Sequence, residues 1–528
     1  MRKAGKLVAL LTATSLMVAS FAGTGLLSAT AAEETSGFAQ SFANPSTDQR
    51  MKVRTWWPSA DISEEEIKEE VKQIADAGFG CIELIGITES FAARGEHGID
   101  AEKDGWGSAN WNKAVEILMR EAEKYNIYVD LTIGPRWPAG IPNLDPNSDA
   151  AFRKLTYNAI TETATMEEKT YQLPEAPTLS GDVITSQEFV GLVAAKVNRS
   201  SSKVNVQSGW GGTTYSVVND SNIDESTLTV VDNKNIHLQD GTFTFTAPSE
   251  GEWVFYAYWA VGTGQTSGDT VPTAYVVNHF NKSGTQAIID YWENNLLTDE
   301  MKEHYATYGG DLFEDSLELT AVDLPWCNEM AEYFQDNKGY NLIQYLPLLM
   351  GKLGTGSGIT QVAETDIGEG DNRIPAGTTY TINNTATIDN AADQEAICND
   401  FNENLSDMYI ENHVKVIQEW CNSHNIKYRA QAQGTSDNNW VDSIEAASYL
   451  DVVEGETLGM NKSPDAFRSL AGAANMSGTE IVSVELGADF GALYQITWQH
   501  LIELVNRTAS SGANQYVLHG FATRSQAN

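Results

Sequence analysis

The feature of this chain that most constrains its fold is a repeated alternation of short apolar strands with amphipathic helices. The pattern begins with "KVRTWWP" at 52–58, continues with a helix opened by the capping box of Ser63 and Glu66, and reaches the apolar strand "CIELIGI" at 81–87. A second helical stretch then precedes the strand "IYVDLTIG" at 127–134. Strands that alternate with helices at this spacing indicate a parallel sheet with helices packed on it.

The alternation is interrupted once and then returns. Between about 165 and 275, Thr-, Ser-, Val- and Gly-rich runs broken by Asp-Gly and Glu-Gly turns are typical of antiparallel β structure. The candidate parallel strands are 52–57, 81–87, 127–133, 311–317, 426–432, 451–454, 480–485 and 515–519. These eight strands predict an α/β fold, a (β/α)8 TIM barrel with an inserted antiparallel β domain. An open doubly wound sheet, the alternative, needs a glycine-rich phosphate turn that the sequence lacks after an early strand.

The sequence pattern also divides the chain into segments. Residues 1–32 have a basic start, an apolar stretch and a small-residue end, which is the pattern of a secretory signal peptide. We therefore expect a secreted, extracellular protein. Residues 33–165 carry the first three barrel strands, 166–277 the inserted β domain, and 278–528 the remaining five strands. A polar segment at about 352–397 has almost no periodic signal and is expected to be a long loop.

Charge and cysteine content exclude several classes of protein. The formal net charge is −39 and the sequence pI is about 4.4, which argues against nucleic acid or an anionic membrane surface as a partner. No membrane association is expected once the signal peptide is removed. The four cysteines, Cys81, Cys327, Cys398 and Cys421, are widely separated and lack CxxC spacing. They predict buried free thiols, and neither a disulfide framework nor a zinc site. The oligomeric state does not follow from the sequence.

Polar and aromatic residues collect at the predicted carboxyl ends of the strands, where barrels of this kind place their active sites. These residues are Trp56, Trp57, Glu83, Thr132, Arg136, Trp137, Asp315, Glu318, Arg429, Gln431, Gln433, Glu454, Glu456, Glu485 and His519. Glycoside hydrolysis requires a pair of carboxyl groups, polar groups for sugar hydroxyls and aromatic faces for sugar rings. Ser-His-Asp and zinc chemistry are poorly supported, because the sequence has no GxSxG or HExxH motif.

Several stretches resemble one enzyme family. The runs "VRTWWPSADISEEEIKEEVKQIADAGFGCIELIGI" and "FEDSLELTAVDLPWCNEMAEYFQDNKGYNLIQYLPLLMG" are similar to parts of glycoside hydrolase family 106, the α-L-rhamnosidases. The shorter elements "HNIKYRAQAQG", "VVEGETLG", "IVSVELGA" and "YVLHGF" follow in the family's order. The resemblance implies a (β/α)8 barrel, inverting hydrolysis of terminal α-L-rhamnosides, a rhamnose-containing glycan or glycoside as substrate, and calcium that contacts the sugar.

The resemblance also implies roles for individual residues. Glu318 matches the acid of the family's Asp-Ser-x-Glu motif and is expected to be the general acid, with Asp315 helping to raise its pKa. Glu485 is the favoured general base, Glu456 is expected to orient the water, and Glu454 is a third option for the base. The expected substrate-binding residues are Trp57, Glu83, Arg136, Trp137, Asp315, Arg429, Gln431 and His519.

Calcium binding at such a mouth is physically reasonable, because the strand-end acids outnumber the nearby cations and supply oxygen ligands. Glu83 and Glu456 are the candidate ligands, with no ligand set assigned. Two features depart from the family: the segment "GPRWPAGIPNLDP" after strand three, and an end at Asn528 where members usually continue into further β domains. The chain is therefore expected to be a fragment or to complete its barrel unusually. Two alternatives remain open, a non-catalytic secreted carbohydrate-binding protein and a barrel glycosidase for another sugar, such as a galactoside or glucuronide.

Overall fold

The computed structural model describes most of the chain outside its two ends and several loops. The described residues are 37, 39–86, 100–179, 181–209, 212–268, 270–319, 324–353, 359–432, 440–458, 460, 463–488 and 495–522. The predicted signal peptide, 1–32, and Gln433 lie outside them. Among the described residues, no helix has the length and apolar character needed to span a membrane.

A closed barrel of eight parallel strands forms the centre of the protein, as the alternation predicts. In chain order β1 to β8 are Lys52–Trp57, Cys81–Gly86, Tyr128–Thr132, Asp311–Glu314, Lys427–Ala430, Val452–Glu456, Val482–Leu486 and Gln515–Ala522. Each strand pairs with the next, and β8 pairs with β1 to close the ring. All carboxyl ends therefore meet at one mouth. The predicted mixed α/β class and the eight-stranded parallel count are confirmed.

Helices lie between successive barrel strands. In chain order α1 to α12 are Glu64–Asp76, Ala101–Asp104, Ala109–Tyr125, Lys282–Tyr291, Asp299–Tyr308, Met330–Lys338, Leu342–Leu353, Ala391–Tyr409, Lys415–Ser423, Ser443–Ala447, Pro464–Ser477 and Trp498–Ala509. Helix α1 begins at the predicted capping box, and its apolar residues Ile67, Val71 and Ile74 are buried. Short π-helical segments follow α4 and α8. The barrel and its helices share one large apolar core.

The barrel interior carries charged side chains where barrels usually pack aliphatic ones. Successive strand residues point to opposite faces, so Lys52, Arg54 and Trp56 of β1 point inward. The alternate residues Val53, Thr55 and Trp57 face the helices. The Trp57 indole donates a hydrogen bond to Glu70 of α1 at 3.1 Å. The same alternation on the other strands collects carboxylates around these inward cations.

An eight-stranded mixed sheet is inserted between the barrel strands. Its strands are Pro325–Trp326, Arg153–Ala164, Gly251–Gly262, Gln187–Gly209, Gly212–Ile223, Thr379–Thr387 and Ile359–Val362 in spatial order, with Thr229–Val230 beside Gln187–Gly209. Smaller sheets join Lys169–Gln172, Ile236–His237 and Thr242–Phe245, Gly140–Pro142 with Ala274–Val276, and Ile367–Glu369 with Asn372–Ile374. An aromatic core that includes Trp253, Phe255 and Phe243 packs this region. The proposed division into domains stays a prediction.

One expectation about the polar segment at 352–397 is wrong. It was expected to be a long loop, but Thr379–Thr387 pairs in parallel with Gly212–Ile223 and extends the inserted sheet. Its apolar residues Tyr380, Ile382 and Ala386 alternate with polar ones in a short run that Asn384 interrupts, and backbone hydrogen bonds to the neighbouring strand hold it. Its threonines Thr385 and Thr387 donate to Asp220 on the neighbouring strand, both at 2.9 Å.

The cysteine prediction is confirmed. Cys81, Cys327, Cys398 and Cys421 are all buried and carry free thiols. Burial raises the pKa of each of the Cys81 and Cys421 thiols well above its usual value, so these side chains act as small apolar groups.

Candidate active site

The floor of the mouth is an ion network around Arg429, which is fully buried. Its guanidinium donates to Glu454 and Glu83, and to Asp130 and Asp311 at 3.3 and 3.2 Å. Four carboxyl groups around one guanidinium cannot all be ionised at low cost in a buried site. Burial accordingly raises the pKa of Asp130 and that of Glu454 above their ordinary values.

Arg54 joins this floor to the mouth. The side chain is fully buried, and its Nε donates to Glu83, whose other oxygen accepts from Arg429. Burial alone would raise the pKa of Glu83, but the charges of Arg54 and Arg429 lower it to about 2. The Nη1 atom of Arg54 lies 3.0 Å from Glu485 Oε2 and 4.0 Å from Asp315 Oδ2. One cation therefore reaches both the predicted base and its neighbouring aspartate.

Asp315 and Glu485 form a pair of carboxyl groups in different states. Asp315 follows the end of β4, and burial, followed by the charge of Glu485, raises its pKa well above the usual value. Glu485 on β7 accepts from the Gln431 amide at 3.0 Å, and its Oε1 lies 3.6 Å from His519 Nε2. Burial lowers the pKa of His519, which favours its neutral form. The two carboxyl groups therefore have different surroundings, with Glu485 paired to Arg54 at 3.0 Å and Asp315 at 4.0 Å.

Aromatic side chains form one wall of the mouth. The Trp56 ring lies edge-on to His519 and to Trp137, with centroids 5.0 and 6.4 Å apart. The Arg136 guanidinium lies over the Trp137 ring at 5.0 Å. Trp56, Trp137 and His519 are all partly exposed, so this wall is open to a ligand. Aromatic faces beside carboxyl groups are suited to sugar rings.

Glu318 lies in the segment after β4 and is exposed at the edge of the mouth. Protein atoms still surround its carboxyl, and the resulting desolvation raises its pKa, against the opposing effects of Ser316, Arg136 and Trp137. The like charge that adds to this increase in pKa belongs to Glu485. The expected help of Asp315 in raising the pKa of Glu318 stays a prediction.

The structure brings together Glu318, Glu485, Glu456, Asp315, Arg136, Trp137 and His519 at the mouth. It contradicts substrate contact for four predicted binding residues, Trp57, Glu83, Arg429 and Gln431, which are all buried. Trp57 faces the helices, so Trp56 is the ring at the mouth. Glu83 and Arg429 belong to the floor network, and Gln431 donates to Glu485 beneath the mouth.

The residue that the sequence reasoning missed is Arg54. The sequence nevertheless contains a signal for it. Strand β1 carries Lys52, Arg54 and Trp56 at every second position. The positions between and after them are occupied by Val53, Thr55 and Trp57. A strand that carries two cations on one face of a buried sheet predicts carboxylate partners on its neighbours.

Among the described residues, one group of three potential metal ligands converges, His279, Glu314 and His413, and all three are buried. It lies on the outer face of β4. His413 Nε2 is 2.9 Å from Glu314 Oε2, which is a hydrogen-bond distance, and the Tyr428 hydroxyl also donates to Glu314. Burial would raise the pKa of Glu314, but the two histidines hold it well below its usual range. His413 and Tyr428 hold Glu314 by hydrogen bonds, and His279 Nε2 lies 3.3 Å from Glu314 Oε1, so the cluster anchors the end of β4 next to Asp315.

The calcium implied by the resemblance fits some of the candidate ligands and not others. Glu83 does not fit, because both of its oxygens accept from arginines below the mouth. Glu456 is half-buried at the end of β6 and fits as an oxygen ligand. Calcium takes six to eight oxygens. Since the described mouth residues include no converging set of three carboxylates, sugar hydroxyls and water would have to complete the coordination.

The two adjacent tryptophans provide a test of this geometry. We expect Trp57→Ala to lower the free energy of unfolding by about 3–5 kcal/mol, because it leaves a cavity between β1 and the helices. Trp56→Ala, the matched control, should cost clearly less, because the Trp56 ring is already partly exposed. Urea unfolding of both variants measures the difference. A larger loss for Trp56→Ala would contradict the assigned directions of the two side chains.

Comparison with known proteins supports the resemblance. The family model of alpha-L-rhamnosidases, glycoside hydrolase family 106, matches residues 169–361. A rhamnosidase structure from Novosphingobium sp. PP1Y has a TM-score of 0.68 and 14% identity over 92% of this chain and 56% of that chain. A polyextremophilic β-galactosidase from the Antarctic haloarchaeon Halorubrum lacusprofundi has a TM-score of 0.41 and 10% identity, over 89% of this chain and 52% of that chain. No protein of curated function matches the sequence.

These similarities differ in what they support. The chain spans about half the length of both solved structures. The Novosphingobium structure supports the fold alone, and the similarity to the β-galactosidase is too low to carry an argument. The family match includes Asp315 and Glu318. The resemblance of this chain to glycoside hydrolase family 106, the α-L-rhamnosidases, is thereby confirmed.

Proposed function

We propose that this chain is a secreted glycosidase that removes terminal α-L-rhamnosyl residues from glycans or glycosides, with inversion, on a (β/α)8 barrel. The observation that carries the proposal is the pairing of two different carboxyl groups at one mouth. Glu318 has a raised pKa and is open to solvent, whereas Glu485 is buried and bound by Arg54. An acid and a base with such different surroundings are what inverting hydrolysis requires. The family match supports rhamnose as the sugar.

In the proposed reaction Glu318 donates its proton to the glycosidic oxygen as the bond from that oxygen to the sugar breaks. Glu485 takes a proton from a water molecule, and the water oxygen forms the new bond on the opposite face of the sugar. The segment after β4 and the end of β7 are three strands apart around the barrel, which leaves room between them for sugar and water. Glu456, next to Glu485 in strand register, is assigned to orient the water.

Trp56, Trp137 and His519 are proposed to bind the sugar in place of Trp57. A deoxy sugar such as rhamnose has an apolar methyl group as well as hydroxyls, and an aromatic wall contacts the apolar part. Arg136, over the Trp137 ring, also stabilises the ionised form of Glu318. Arg136 is therefore placed to limit how far the pKa of the acid rises.

The substrate and mechanism are tested together by a panel of nitrophenyl glycosides. We expect the protein to release nitrophenol from the α-L-rhamnoside and not from galactosides or glucuronides. Proton NMR of the early reaction should show the β anomer of rhamnose first, because inversion converts the α configuration. If the α anomer forms first, the inverting mechanism is wrong. Tight sugar binding without turnover would instead identify a carbohydrate-binding protein.

The role of Glu318 is tested by Glu318→Gln. Positioned general acids contribute about 10²–10⁴-fold, so we expect a loss of that size in kcat on an unactivated rhamnoside. The loss should be smaller on a nitrophenyl rhamnoside, whose leaving group needs little protonation. Glu332→Gln, an exposed glutamate on α6, is the control and should leave both rates unchanged. Retention of more than about a tenth of the activity on the unactivated substrate would remove Glu318 from the role of acid.

Calcium is proposed as a cofactor, with Glu456 as its candidate protein ligand. When bound, the ion would hold adjacent sugar hydroxyls and so orient the ring. We expect exhaustive chelation to abolish activity and added calcium to restore it, with Glu456→Gln requiring more calcium than the parent protein. Unchanged activity after chelation, together with no metal by elemental analysis, would exclude the ion.

A further inference from the structure

The two oxygens of the Glu485 carboxylate have different surroundings. Oε2 accepts from the Gln431 amide and lies next to Arg54 Nη1, both at 3.0 Å. Oε1 lies 3.6 Å from His519 Nε2, which is too long for a direct hydrogen bond and suited to a bridging water or sugar hydroxyl. Glu485 is therefore held from below through one oxygen and faces the mouth through the other.

Arg54 cannot leave Glu485 without breaking a buried network. Its Nε is bound to Glu83, and Glu83 is bound on its other side to Arg429. The guanidinium also lies over the Phe313 ring at 4.9 Å and the Trp56 ring at 5.6 Å. Arg54 is fully buried, so no water shell is available to replace these contacts.

Gln431 has an equally fixed orientation. Its side chain is almost fully buried, and its Nε2 faces Glu485 Oε2 at 3.0 Å and Glu454 Oε1 at 3.5 Å. Both neighbours are carboxyl oxygens, so the amide nitrogen rather than the amide oxygen points toward them. Gln431 therefore acts as a donor to the base and not as a contact for the sugar.

We propose that Arg54 and Gln431 are positioning residues that occupy Oε2 of Glu485, so that Oε1 is the atom that takes the proton from the attacking water. This inference rests on the proposed function and names the working atom of its base. Oε2 accepts one hydrogen bond, from Gln431, and makes one ion pair, with Arg54. The lone pairs of Oε1 remain directed toward the mouth, where His519 can contact the same water or a sugar hydroxyl.

The effect of a substitution at Gln431 on Glu485 has to be measured against the other charged groups around this carboxyl. The charged or titratable groups facing it are Arg54 from β1, Asp315 and Glu318 after β4, Glu454 and Glu456 on β6, and His519 on β8. Gln431→Met removes one donor to the ionised carboxylate and leaves all of these groups in place. Loss of a hydrogen bond to the charged form of a carboxyl group disfavours its ionisation.

We expect Gln431→Met to move the acidic limb of the pH profile of kcat/KM upward by about one pH unit, as expected for one lost hydrogen bond to a charged group. Its kcat should fall while KM changes little, because Gln431 does not contact the sugar. Gln344→Met is the matched control, since the Gln344 amide donates to the Leu228 carbonyl at 3.0 Å beside the inserted sheet. This control should leave both the limb and kcat unchanged.

A second variant and a second readout keep the test independent of folding and of activity. Arg54→Lys keeps the charge, but an ammonium group cannot bind Glu83 and Glu485 in the same fork, so kcat should fall at least tenfold. Infrared difference spectra of each protein against its Glu485→Gln form report the titration of this carboxyl without substrate. An unmoved limb and an unmoved infrared titration in both variants would overturn the inference. If the parent protein releases no rhamnose, the proposed function fails, and the infrared titration still decides the role of Gln431 and Arg54.

Discussion

The pairing of Glu83 with Arg54 and Arg429 is the interaction on which the rest of this structure depends. These three side chains are fully buried and cross the barrel interior from β1 and β2 to β5. Isolated charges in such a place would be very unfavourable, and removal of one partner from a buried ion pair typically costs about 3–5 kcal/mol. The closed barrel therefore depends on each of these groups keeping its partner.

The same network sets the proton states at the mouth. Three interior cations, Lys52, Arg54 and Arg429, face more carboxyl groups than they can neutralise. The cations lower the pKa of a carboxyl with close contacts to them, such as Glu83, whereas burial raises the pKa of one with poorer contacts, such as Asp315. The proposed acid and base mechanism requires carboxyl groups with different pKa values, and the charges of the floor contribute to this difference.

Much of the barrel could be predicted from the sequence, because its signal is local. The capping box of α1 and the apolar runs of β2 and β7 depend on neighbouring residues, and the structure has these elements near the predicted positions. The strand at Thr379–Thr387 could not be predicted in this way. It pairs with a distant strand, Gly212–Ile223, and its alternation of Tyr380, Ile382 and Ala386 with polar residues is short and interrupted by Asn384.

The arrangement of the candidate site could be predicted only in part from the sequence. By itself the sequence determined that acids, amides and tryptophans end the strands, because residue type and strand position are both local properties. Only the closed barrel decided that Trp56 faces the mouth while Trp57 faces Glu70, and that Gln431 holds Glu485. The physical reason is that a strand places neighbouring side chains on opposite faces. Which face is the interior, and which charges meet there, depends on partners hundreds of residues away, such as Arg429 and Glu83.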